Sequence, residues 1–159
     1  MASLQRVGDN SAPDPRISFN LELLGYEKFA DGKVAKDWLD VSIWLVLLGL
    51  TIKFPGQKTV SVDELKYFIE WLRELSKNPR GVHTFQTFHE PLFSMTAENF
   101  TGETFDIKAL ISSYGAAPGF YSEDEGVSVQ FTISRDSISG FANELEREFS
   151  DLQGNKRNG

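Results

Sequence analysis

The chain has 159 residues, 40% of them apolar and 25% charged, and 23 acids against 16 bases leave a formal net charge of −7. That length and composition describe a soluble domain with one core, able to bury roughly two thirds of the surface it exposes when unfolded, and not a tail, a fibre or a membrane span. The absence of cysteine excludes zinc ribbons, iron–sulfur clusters, thiol catalysis and disulfide frameworks, and the scattering of the bases among acids argues against a nucleic-acid partner.

Residues 1–16 hold Ser3, Gly8, Asp9, Asn10, Ser11, Pro13, Asp14 and Pro15 and lack the apolar run of a secretory signal. They read as a flexible arm ahead of a single domain over 17–153, which favours the cytoplasm. Ile17 to Leu24 alternates apolar Ile17, Phe19, Leu21 and Leu23 with Ser18, Asn20 and Glu22, the period of a half-buried strand. Asp31-Gly32 then marks a hairpin turn, because glycine accepts a positive φ that other residues resist. Trp38 to Phe54 reads as one long strand whose apolar set changes parity near Gly49, which predicts a β-bulge or sharp bend there. Its apolar stretch, Ile43 to Leu50, is far shorter than the roughly 20 residues that cross a bilayer, so no membrane partner is expected.

A helix over about 61–77 is the best-marked element. Ser61 and Glu64 form a capping box, Val60 and Leu65 can staple around it, and Leu65, Phe68, Ile69, Leu72 and Leu75 form one stripe. Asn78-Pro79 ends it, and Tyr67 and Trp71 sit off the stripe. Strands follow at Val82 to His89, Leu92 to Thr96, Thr104 to Ser112 and Val127 to Ile133, the last two alternating cleanly. Tyr114 to Gly126 reads as a long exposed loop. A second helix over about 137–152, with Asp136 as its N-cap, buries Ile138, Phe141, Ala142, Leu145, Phe149 and Leu152, and residues 154–159 fray. The order of strands, helix, strands, helix predicts an α+β fold: a mostly antiparallel, curved sheet of about six strands with two helices packed on it.

Catalytic and metal chemistry find little support. His83 and His89 are six apart in one predicted strand, about 20 Å from each other, too far to share an ion, so no metal or other cofactor is expected. His89-Glu90 would diverge to opposite faces of a strand, and Gly115 to Gly119 lacks both the Walker lysine and the GxGxxG spacing. The remaining candidates are surfaces. Between Tyr121 and Asp151 eight acids face two bases, and Glu123, Asp124, Glu125, Glu144 and Glu148 form a solvated acidic face or a docking surface for a basic protein. Trp38, Asp40, Ser42 and Trp44 share one strand face, and with Trp71 these tryptophans provide an aromatic contact surface or cover a second layer of core.

Several motifs run through this order: Trp38-Leu39-x-Val41 opening a long strand, Ser61-x-Asp63-Glu64-Leu65 with Phe68 and Leu72, Gly81 before a strand ending in Glu90-Pro91, Gly102 ahead of a strand, and Phe131 to Asp136 leading into the last helix. Over about residues 38–152 they resemble the immunity proteins associated with wall-associated protein A toxins, the WapI-like family. The resemblance implies a non-catalytic protein that binds and neutralises a bacterial toxin domain, and it assigns no site residue. Charge adds the expectation that this partner is basic. A homodimeric scaffold and a small-ligand-binding, helix-grip-like domain are the alternatives.

Overall fold

The computed structural model describes residues 1–7, 13–53, 58–87, 93–99, 103–112 and 126–155. Among these residues nine strands and two helices follow in the order β1 (Ala2–Val7), β2 (Pro13–Lys28), β3 (Val34–Leu47), β4 (Leu50–Lys53), β5 (Lys58–Ser61), α1 (Val62–Lys77), β6 (Gly81–Gln86), β7 (Phe93–Asn99), β8 (Thr104–Ser112), β9 (Gly126–Ser134) and α2 (Arg135–Asn155). The class is α+β and every strand pair is antiparallel, but the strands form two sheets where sequence periodicity suggested one. The first sheet runs β1-β2-β3-β4, with β5 following β4 along the same side of β3; the second runs β6-β7-β8-β9.

Three differences from the sequence reading have physical causes. Residues 2–7, within the segment read as an arm, form β1: Ala2 and Leu4 alternate with Ser3 and Gln5, and both apolar side chains are fully buried. The long strand ending at Phe54 is instead a hairpin. Leu47 pairs with Leu50 across Leu48-Gly49, whose φ values of 50° and 88° are both left-handed, as a two-residue loop between twisted strands requires. Such a loop pairs odd residues with even ones, which produces the same parity change as a bulge. The second helix begins at Arg135, because Ser134, rather than Asp136, caps it: the Ser134 hydroxyl accepts from the Ser137 N–H at 3.2 Å. The loop expected from Tyr114 and the pair His89-Glu90 lie outside the described residues.

Helix α1 matches its sequence signature. The Ser61 hydroxyl accepts from the Glu64 N–H, and the Glu64 carboxylate accepts from the Ser61 N–H in return, at 3.2 and 2.9 Å. Its stripe of Leu65, Phe68, Ile69, Leu72 and Leu75 is buried. Aromatic rings join the layers: Phe68 of α1 lies 4.5 Å from Phe85 and 5.1 Å from Phe93 in the second sheet and 6.2 Å from Phe141 of α2, while Phe19 of the first sheet lies 5.5 Å from Phe93 and 6.2 Å from Phe141. The helices are clasped by the Arg73–Glu146 ion pair, by the Arg135 guanidinium donating to the Ser76 carbonyl, and by Ser139 donating to Ser76 at 3.0 Å. A core void bordered by Leu21, Leu39, Phe68 and Phe85 has about 10 Å³, at the lower limit for a single water molecule and far below a ligand.

Candidate functional site

The acidic candidates divide by location. Glu123, Asp124 and Glu125 lie outside the described residues. Glu144 stands on the solvent side of α2, 3.7 Å from Arg147, and borders a shallow depression with Ser3, Gln5, Ser137, Gly140 and Phe141. Glu148, one helical turn on, points inward with its side chain 15% exposed. It accepts the Leu23 N–H at 3.3 Å and pairs with the Met1 ammonium, so it ties α2 to the first sheet.

The tryptophans do not form one surface. Leu39, Val41, Ile43 and Leu45 are buried in the core, so strand alternation places Trp38, Asp40, Ser42 and Trp44 on the opposite face of the first sheet. The Lys53 ammonium sits 5.2 Å from the Trp44 ring centroid, a cation–π contact between paired residues of β3 and β4. Asn20 donates to Ser18 at 2.9 Å and to the Trp44 carbonyl at 3.4 Å, and Ser18, Asn20 and Ser42 are all buried, so this face carries a covered polar set between the half-buried tryptophans. Asp40 keeps one carboxylate oxygen buried without a hydrogen-bond partner, a burden of about 1–3 kcal/mol by the usual desolvation scale. Trp71 belongs elsewhere: it stacks on Phe68 at 5.9 Å and 17° and lies 5.8 Å from Phe85.

Among the described residues no group of three or more His, Asp and Glu side chains is placed to hold a metal ion, and no helix is long and apolar enough to cross a membrane. His83 makes a 3.2 Å contact from Nε2 to the Arg80 carbonyl. The shifted carboxyls move away from general-acid duty: hydrogen bonding to Lys33 holds Asp31 below its ordinary value, and hydrogen bonding to Lys77, with its charge, does the same for Glu74.

One feature that spacing did not expose is the rim of the second sheet. Among the described residues β6 closes it on one side, pairs only with β7, and carries Val82 with 60% of its surface open beside half-buried His83 and exposed Thr84. Edge position depends on which strands pair, so no local pattern reveals it. The one available signal is the run Gly81 to Gln86, which contains no charged residue.

The profile of the immunity protein WapI-like family matches residues 12–153. No curated protein and no solved structure matches the chain.

Proposed function

The chain belongs to the immunity protein WapI-like family, and from that premise we propose that it neutralises a bacterial toxin domain by binding it directly, without catalysis, in the cytoplasm of the cell that makes both. The observation that carries this reading is the family match across 12–153, which spans every strand but β1 and nearly all of α2. The side-chain arrangement agrees with it. A binding protein needs a rigid scaffold and exposed surface; the described residues provide a packed aromatic core and, on the outer side of the second sheet, an exposed face that includes Glu98, Asp106 and Lys108. The net charge of −7 suits a basic toxin, since opposite charge speeds encounter and raises the association rate more than it raises affinity.

The test is to purify the toxin domain encoded beside this chain and titrate the protein into it. We expect a stoichiometric complex, loss of toxin activity in proportion to complex formed, and rescue of growth on co-expression. A toxin domain that stays fully active at saturating protein would refute the reading.

A further inference from the structure

The edge of the second sheet is built to accept another strand. The Thr87 N–H donates to the Phe93 carbonyl at 3.2 Å, which sets the phase of the β6–β7 ladder. In that phase Gly81, His83 and Phe85 bond to β7, while Val82, Thr84 and Gln86 turn their N–H and C=O groups to the free side. Among the described residues these outward groups find no other partner.

Exposed edges are normally blunted by lysine, proline or a bulge, because a row of open donors and acceptors templates pairing with another chain. Two other edges follow that rule, β4 ending in Lys53 and β1 shifting register between Gln5 and Arg6, while uncharged β9, at the far edge of the second sheet, has β1 against it. Among the described residues β6 has neither a blunting residue nor a covering strand. Its sequence GVHTFQ has no charge and no proline, and its register against β7 runs unbroken from Gly81 opposite Asn99 to Gln86 opposite Ser94.

The two faces beside this edge carry different chemistry. On the inner side Tyr67 and Trp71 each lie 5.8 Å from the Phe85 ring, and Tyr67 is 48% exposed, so α1 presents an aromatic shelf next to the edge. On the outer side Val82 stands opposite Glu98, and Glu98 opposite Asp106, two exposed carboxylates in direct cross-strand register. Like charges so placed repel, and neither has an ion pair among the described residues; Asp106 is held by the Thr132 hydroxyl at 2.7 Å, and Lys108 stands one row away opposite Thr96.

We propose that an extended segment of the toxin polypeptide adds to β6 as a fifth antiparallel or parallel strand of this sheet, with aromatic or aliphatic side chains over Tyr67 and Trp71 and lysine or arginine on its outer face reaching past Val82 to Glu98 and Asp106. Main-chain bonds then supply affinity, and the alternating side chains supply choice of partner. This rests on the toxin-binding reading above. A second copy of the chain fits less well, because it would bring the same uncompensated carboxylates and the same net charge to the contact.

The experiment follows amide hydrogen exchange at Val82, Thr84 and Gln86 in the protein alone and with the purified toxin domain, together with the affinities of Thr84→Pro and Thr84→Lys. The Thr84 N–H faces away from β7, so proline there removes an edge donor and leaves the β6–β7 ladder intact, and lysine at this exposed position tests the edge without touching the backbone. The expected result is protection of the three amides only when toxin is present, with binding roughly tenfold weaker or more in both variants and unchanged melting for Thr84→Lys. If wild type binds the toxin while these amides stay unprotected and both variants bind as well as wild type, the edge proposal is overturned and the immunity reading stands. If wild type fails to bind the toxin at all, the reading falls and takes the proposal with it. Protection that rises with protein concentration in the absence of toxin identifies a second copy as the occupant and overturns the proposed one.

Discussion

A Cβ built on Gly126 would collide with the carbonyl of Ile111, where β9 starts alongside the end of β8. Backbone cannot yield as a flexible side chain does, so Gly126→Ala is expected to cost on the order of 1–3 kcal/mol, read as a lower urea midpoint with an unchanged slope. Gly140 is the opposite case. It lies inside α2, where glycine weakens a helix, yet nothing comes within 4 Å of the position its Cβ would take. Gly140→Ala should therefore raise stability by about 0.5–1 kcal/mol, measured by thermal melting. The same chemical change thus has opposite signs at two positions, and the distance to the nearest backbone decides which.

Among elements, α1 was the most legible, because its start, face and stop are each written in residues near one another: Ser61 with Glu64, the Leu65-to-Leu75 stripe, and Asn78-Pro79. Removing the cap tests that account. Ser61→Ala should cost about 1 kcal/mol, whereas Ser61→Asp, which can also accept from the Glu64 N–H, should retain most of the stability in the same denaturant titration. The turn at Asp31-Gly32 was legible for the same local reason, with the Lys33 N–H donating to the Asp31 carboxylate at 3.0 Å and Gly32 at φ 82°. The turn at Leu48-Gly49 was not: leucine rarely occupies a left-handed position, so its side chain, 73% exposed at the tip, gave the appearance of a continuing strand. β5 escaped notice because it is four residues long and owes its existence to pairing with β3. The surface candidates show the same limit. Alternation correctly placed Trp38 and Trp44 on one face of β3, but whether Glu148 points outward depends on where Leu23 lies, and the openness of β6 depends on the strand order of a whole sheet.

At the scale of the whole molecule, Phe68 is the point where both sheets and both helices become one core, since its ring meets Phe85, Phe93 and Phe141, and Phe19 closes the circuit. Phe68→Ala should cost about 3–5 kcal/mol. Because no layer keeps its contacts without the others, the loss should appear as a single transition, with near-ultraviolet and far-ultraviolet circular dichroism moving together. Separate transitions for the two sheets would contradict that account. The joint between the first strands and the last helix carries a further consequence, for biosynthesis. β1 and β2 leave the ribosome early, but α2 packs against both, with Phe141 beside Phe19 and Glu148 on the Leu23 amide. The part of their apolar side that faces α2 therefore stays wet until translation has passed Arg135, and the nascent chain cannot complete its interior before then. A product cut short before that helix would leave the Phe141 side of Phe19 uncovered for chaperones and proteases to find, so the interior of this domain closes only once α2 is made.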